Sequence, residues 1–432
     1  MTWTRWWTLS PPLTGQNGSQ AGNPTWEGRV VAEILVKPQT APLDHPVGVQ
    51  VVGLEPGQTI TVQLSTGERA SHAVFDADDH GVVDLTRHAP AEGSYRGVDP
   101  MGLFWSLERT GGKPGPAVLS VEGVGDRVLD RLTVPEGVER QEVRENGLVG
   151  TLFAPEDDGG DLPGVIVLSG SEGGLHETDA ALLAGHGFVT FALGYFGLPG
   201  LPEHLVDVPL EYFGKAIDHL SERAGEIGVV GGSRGGELAL LVGSTYSQVK
   251  AVVSVVGSGV VTQAIGPGAN LLQKLSYEAA SWTLKGEPLP YLPYEIGDEL
   301  RARIVNGEPV PLRLAFSTED GVPEDTEIGV ERIAGGVLLI SSGQDDGWPS
   351  TELSDVALRR LKDHDHPFAH EHVVYPEAGH LIAGPPHRPA TEVTYPGPGV
   401  TFSGGGTPQA TAHARADAWK RTVEFLREQL GT

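Results

Sequence analysis

The 432-residue chain contains no cysteine. Disulfide frameworks, thiolate metal sites and a cysteine nucleophile are therefore excluded, and covalent chemistry falls to oxygen or nitrogen side chains. No run of about 18 consecutive apolar residues occurs, so no transmembrane helix is expected. The start, Met1-Thr2-Trp3-Thr4-Arg5-Trp6-Trp7, lacks the apolar stretch of a secretory signal, and the reading is of an intracellular, cytoplasmic protein. Positive charge is scarce. Thirty Lys and Arg stand against 57 Asp and Glu, a formal net charge of −27. Such a field repels nucleic acid and anionic membrane, and neither is an expected partner.

Glycine and proline are abundant, at 60 and 33 residues, which implies many turns. The length exceeds one ordinary core and suggests two domains. Residues 1–27, rich in Gly, Asn, Pro and Ser with three early tryptophans, read as a loosely ordered arm. Over 28–138, short alternating runs such as 47–52, 59–64 and 117–121 are broken by turn residues, the pattern of an antiparallel β-sandwich. From 139 to 432 the rhythm changes. Wholly apolar strands near 164–168, 188–193, 226–230, 250–256, 336–341 and 372–375 alternate with helical spacing near 177–186, 210–220, 237–242 and 411–430. That alternation means a mostly parallel sheet with helices on both faces. Residues 257–332 interrupt it with Pro-, Gly- and Glu-rich sequence and read as a lid or cap insertion.

One turn dominates the second half. Gly231, Ser233 and Gly235 fit the Gly-x-Ser-x-Gly elbow, with the required strand before and helix after. Flanking glycines let the backbone take a strained turn that holds the serine Oγ clear of the sheet. An elbow serine needs an acid and then a histidine, in that chain order. The acid is expected directly after the 336–341 strand, where Asp345 and Asp346 both stand. Asp346, lying farther out of the strand, is the favoured one; the alternative is that both cap the following helix. The histidine is expected after the next strand, and His380 follows Gly379 there. The oxyanion hole would combine the Arg234 amide with one amide of the 169–174 loop, from Ser171 or Glu172. His364, His366, His370 and His372 cluster in sequence, but they lie on a helix end and a strand without a plausible set of metal partners. Neither metal nor cofactor is expected.

These residues resemble the acyl-CoA thioesterase / bile acid-CoA:amino acid N-acyltransferase family. The likeness runs from about residue 28 to the end and is carried by long strings in order. They are Gly97-Val-Asp-Pro-Met-Gly-Leu-Phe-Trp-Ser-Leu107, Ser169-Gly-Ser-Glu-Gly-Gly-Leu175, Ala181-Leu-Leu-Ala184 and Leu210-Glu-Tyr-Phe213, then the elbow, Gly343-Gln-Asp-Asp-Gly-Trp-Pro-Ser350 and Ala378-Gly-His-Leu-Ile382. The resemblance implies an α/β-hydrolase domain preceded by a β-sandwich, and a triad falling on Ser233, Asp346 and His380. Cysteine members of the family favour transfer to an amine and serine members hydrolysis, so Ser233 implies an acyl-CoA thioesterase. An amino acid N-acyltransferase, or a carboxylesterase or lactone hydrolase on a CoA-free substrate, is the alternative, and a silent scaffold a third reading. Glu172 departs from the family, which has glycine there, and puts a carboxylate near the oxyanion site. The phosphates of acyl-CoA also require a local basic patch, for which Lys285, Arg301, Arg303 and Arg313 are candidates.

Overall fold

The computed structural model describes residues 31–156, 160–318 and 321–431; the expected arm at 1–27, with its three tryptophans, lies outside them. In the N-terminal region alternation builds two sheets. Thr59–Ser65 buries every second residue, so Ile60, Val62 and Leu64 face inward. Its sheet also holds Arg69–Asp76, Ala117–Val121 and Gly125–Leu132, and a smaller sheet holds Glu33–Lys37, Gly48–Val52 and Val83–Asp84. Val49, Val51, Val62, Leu64, Phe75 and Leu119 share one apolar core with the buried turn Gly102–Trp105. The pairing is antiparallel except that Thr40–Pro42 runs parallel to Gly125–Leu132.

The second unit is an eight-stranded sheet, labelled in chain order β1 (Val138–Val143), β2 (Val149–Pro155), β3 (Gly164–Leu168), β4 (Val189–Gly194), β5 (Ile227–Gly232), β6 (Val249–Val255), β7 (Gly336–Ser342) and β8 (His370–Tyr375). Across the sheet they lie in the order β1-β2-β4-β3-β5-β6-β7-β8. The β1–β2 and β2–β4 pairs are antiparallel and the rest parallel. This is the α/β-hydrolase fold. Five helices cover it: α1 (Glu177–Gly185), α2 (Glu211–Ser221), α3 (Arg234–Thr245), α4 (Ser350–Asp363) and α5 (Pro408–Leu430).

Alternate residues of one strand feed opposite layers. Ile166 and Leu168 pack with residues of α2, α3 and α4, while Val165 and Val167 pack with those of α1 and α5. A strand buried on both faces must be apolar throughout, which is why the parallel strands read as continuous hydrophobic runs. Thr407 caps α5 by accepting the Ala410 amide, and Gly431 ends it in the left-handed conformation.

The stretch between β6 and β7 supplies two strands of a small separate sheet. Its Trp282–Leu284 strand pairs with Val208–Pro209 and Glu287–Pro288, and Trp282 is fully buried against the main core. The two units are stitched by the chain beyond β8. The Ala390 amide donates to the Trp105 carbonyl at 2.8 Å, and the Thr391 hydroxyl to the Leu107 carbonyl at 2.7 Å. Glu392 pairs with Arg69 and Arg109. Buried Asp44 accepts from Trp419 Nε1 at 3.0 Å and meets His186 Nε2 at 2.7 Å. Among the described residues no helix is long and apolar enough to cross a membrane.

Candidate active site

Parallel strands end together at one edge of the sheet, and the elbow stands there. Leu168 of β3 pairs with Gly231 of β5, which in turn pairs with Ser254 of β6. The left-handed backbone belongs to Ser233 itself, at φ 54° and ψ −122°. A non-glycine residue held there is strained, and the surroundings must impose it. The serine amide donates to the Val255 carbonyl at 2.8 Å, and its carbonyl accepts from the Gly236 and Glu237 amides. The glycines serve by lacking a side chain. A Cβ on Gly231 would lie 2.2 Å from the Gly235 carbonyl oxygen, and one on Gly235 would lie 2.4 Å from that of Ser169.

His380 Nε2 lies 2.9 Å from Ser233 Oγ, and its Nδ1 lies 2.8 and 3.0 Å from the two carboxylate oxygens of Asp345. The favoured Asp346 is therefore displaced by its neighbour. Asp345 is 1% exposed, and its Oδ1 also accepts the Gly347 and Trp348 amides at 2.8 and 3.2 Å. That local turn pins the carboxylate beneath the imidazole. Asp346 points away and accepts a 2.6 Å hydrogen bond from the Ser403 hydroxyl. Distance along the chain from the strand end misjudged the pair, because the turn fixes Asp345 and reverses the next side chain. An aspartate whose oxygen can reach the amides two and three residues on, with glycine at the second, was the available signal. Gly347 is needed for another reason: a Cβ there would lie 2.6 Å from the imidazole carbon.

Burial alone would lower the His380 pKa. The Asp345 charge and hydrogen bond outweigh it, helped by the Glu172 charge, and the pKa is raised. The Trp348 ring packs edge-on against the imidazole, with its Nε1 donating to the Val256 carbonyl at 2.7 Å. His380 is also held from behind, its amide donating to the Gly404 carbonyl at 2.7 Å. Gly404 follows the hairpin Thr394–Gly397 and Val400–Ser403, whose Tyr395 feels the charges of Asp345 and Glu172.

The Arg234 amide begins α3, where a helix leaves its N–H groups without an intrahelical partner. Ser171 and Glu172 lie in the loop after β3, whose first carbonyl, that of Ser169, accepts the Tyr195 hydroxyl at 2.6 Å. The Glu172 carboxylate folds back to accept the Gly170 amide at 3.1 Å. A cavity of about 580 Å³ opens beside this loop. The neighbours Gly232 and Ile382 line it, with Leu168, Val255, His176 and Arg388.

Sequence reasoning gave the Arg234 side chain no role. It is 2% exposed and forms an ion pair with the fully buried Glu237 at 3.2 Å. It donates to the Gln263 carbonyl at 2.7 Å, to the Tyr294 hydroxyl at 2.9 Å and to Thr262, while Glu237 accepts from Trp282 Nε1 at 2.8 Å. One buried pair thus ties the insertion to the elbow helix. Burial would lower the Arg234 pKa, but the Glu237 charge raises it.

Two of the four candidate basic residues have carboxylate partners. Arg303 pairs with Glu299 at 3.1 Å and Arg313 with Glu352 at 3.7 Å. Arg301 and Arg303 leave one helix two residues apart, on different faces. Three of the four clustered histidines have other partners for their side chains. His372 meets Ser341 and Asp355, His366 the Gly335 carbonyl, and His370 the Phe368 carbonyl.

Two family models match the chain. One, described as BAAT / acyl-CoA thioester hydrolase C terminal, covers residues 208–432, and the other, acyl-CoA thioester hydrolase/BAAT N-terminal region, covers residues 44–145. Human acyl-coenzyme A thioesterase 1 is 32% identical over 417 residues, spanning 90% of this chain and 94% of that protein. Human mitochondrial acyl-coenzyme A thioesterase 2 is 31% identical, spanning 93% and 85%. Mouse acyl-coenzyme A thioesterase 6 is 31% identical, spanning 90% and 94%.

Proposed function

This chain belongs to the acyl-CoA thioester hydrolase/BAAT family, and from that premise we propose that it is a serine-dependent acyl-CoA thioesterase acting through Ser233, His380 and Asp345. The observation that carries the reading is the hydrogen-bonded chain from Ser233 Oγ through His380 to the buried Asp345 carboxylate, mounted on a strained elbow.

The neutral imidazole takes the Ser233 proton at Nε2 while Oγ attacks the thioester carbonyl. Asp345 stabilises the imidazolium that forms and keeps Nδ1–H directed at itself. The oxyanion is received by the Arg234 amide and by an amide of Ser171 or Glu172. The C–S bond breaks, His380 returns its proton to the departing thiolate, and an acyl-Ser233 ester remains. Water, deprotonated by the same Nε2, attacks that ester; the acyl C–Oγ bond breaks as Nε2 returns the proton to Ser233 Oγ, and the carboxylic acid is released. No metal or redox partner enters these steps.

Thiol release from a panel of acyl-CoAs, beside p-nitrophenyl esters and with glycine as a trial acceptor, tests the proposal. Ser233→Ala is expected to lower thiol release by on the order of ten-thousand-fold, with substrate binding retained and free acid as the wild-type product. Unchanged thiol release in that variant would refute it. An acyl-glycine product would favour transfer, and ester cleavage without CoA turnover would favour the carboxylesterase reading.

A further inference from the structure

Beside the triad lies a second chain of charges that the mechanism above does not use. Glu172 Oε1 accepts the Gly170 amide at 3.1 Å and lies 2.8 Å from His176 Nε2. The other oxygen of that carboxylate fills the space a side chain at Gly170 would take, 2.6 Å from where a Cβ would stand. His176 Nδ1 lies 3.5 Å from Asp179 Oδ2. That same Asp179 oxygen and an Arg388 guanidinium nitrogen both lie within 2.9 Å of the place a Gly384 Cβ would occupy. Arg388 in turn donates to the Ala383 carbonyl at 3.1 Å. The chain of charges thus runs from the loop after β3, around the start of α1, to the loop that follows His380.

His176 sits at the N-cap of α1, where the helix dipole opposes a cation. Two carboxylates hold it there. Burial pulls its pKa down, but Asp179 and Glu172 lift it to about 10, so it is an imidazolium at neutral pH. The Glu172 carboxylate is correspondingly held below its usual range, burial notwithstanding, chiefly by the His176 hydrogen bond. The Glu172 side chain is 60% exposed, so as an ion pair it adds little stability. What it does have is a negative charge held near the elbow, where the Gly170 Cβ position that its Oε2 approaches also lies 3.3 Å from the Gly232 carbonyl oxygen, one residue before Ser233. The charges acting on His380 are those of Asp345 after β7 and Glu172 after β3; Asp346, bonded to Ser403, Tyr395 of the hairpin and Arg234 of α3, beyond the Trp348 ring, are the other titratable groups of the neighbourhood.

We propose that Glu172, tethered by His176 and the Gly170 amide, is a positioning residue that tunes His380 through space and holds the loop after β3 in shape. The inference rests on the reading of His380 as the general base.

The test is the pH profile of kcat/KM on an acyl-CoA with an uncharged acyl chain for the wild type, Glu172→Gln and His176→Gln, at low and at about 1 M salt. Gln at 172 keeps an oxygen for the Gly170 amide and removes only the charge. Its acidic limb is expected to move to lower pH, because an imidazole that loses a neighbouring anion is a weaker base. His176→Gln removes the cation that offsets that anion, and its limb is expected to move to higher pH. Both displacements should shrink in high salt. Loosening of the loop would lower kcat in both variants without opposite displacements. Limbs that stay put, or move the same way, overturn the proposal while Ser233-dependent thiol release stands. Release that survives Ser233→Ala overturns the functional reading beneath it.

Discussion

At the elbow the geometry is set within residues 231–237, whereas at the acid turn two adjacent aspartates of the same chemistry diverge. Ser233 is held by contacts made within a few residues and by the strand beside it. Its carbonyl accepts from Gly236 and Glu237, and Gly231 touches Gly235 backbone to backbone. Asp345 and Asp346 separate for a mixed reason. A local turn collects the Gly347 and Trp348 amides on Asp345, and a hairpin almost 60 residues downstream supplies Ser403 to Asp346. A local motif can be read from a local string. A choice between neighbours made partly by a distant strand cannot.

The comparison breaks most sharply at Asp345. Asp345→Asn preserves the volume but loses the charge that stabilises the imidazolium and fixes its tautomer. Thiol release is expected to fall by about a thousand- to ten-thousand-fold. Steady-state kinetics beside a near-unchanged circular dichroism spectrum would check it, and activity within tenfold of wild type would contradict the assignment.

The Arg234–Glu237 pair extends the elbow's reach to the insertion and is the next largest expected effect. Glu237→Gln leaves a guanidinium that is 2% exposed without its counter-charge. Breaking one side of a buried pair costs about 3–5 kcal/mol, to be read as a lower urea midpoint. The insertion should loosen with it, since Trp282 loses the carboxylate it donates to. Hydrogen exchange across residues 258–295 would report that loosening, and an unchanged midpoint would mean the pair is not what anchors the insertion.

Much of the architecture was legible because its causes are periodic. Continuous apolar runs follow from strands buried on both faces, and the alternation in 59–64 from a sheet with one wet face. The neighbourhood of Ser233 and His380 was legible because each stands in a turn with glycine beside it. What escaped was set by tertiary contact. The i, i+3 spacing of Arg234 and Glu237 is common on helices and says nothing about burial. The 394–403 hairpin has no periodic signal, yet its end holds the His380 amide. The role of the chain after Ile382, which runs from the candidate base to the sandwich through Ala390, Thr391 and Glu392, is likewise invisible until both partners are in place.

The acid turn has its own close approach. Gly347→Ala puts a methyl 2.6 Å from the His380 ring, which must shift. A displacement of about 1 Å costs on the order of a hundredfold in rate. The thermal midpoint should move little, because the strain is local to a turn. The same substitution at Gly235 meets backbone at 2.4 Å rather than a movable ring, so it should cost roughly 1–3 kcal/mol of stability as well. Paired calorimetry and kinetics on the two variants separate a site that depends on one ring from one that depends on crossing backbones.

The smallest effect is the most discriminating. Asp346→Ala removes the carboxylate that sequence position favoured, yet by the geometry it costs only the Ser403 hydrogen bond at the foot of the hairpin. About 1 kcal/mol of stability should go, and thiol release should stay within about threefold. The acidic limb should stay close to its wild-type pH, since Asp345 and Glu172 are the carboxylates whose charges raise His380. If Asp346→Ala instead fell as far as Asp345→Asn, the two aspartates would be exchanging places under His380 during turnover. The turn would then be a mobile part of the site rather than a fixed one, and the contrast with the elbow would become one of rigidity rather than of chain distance.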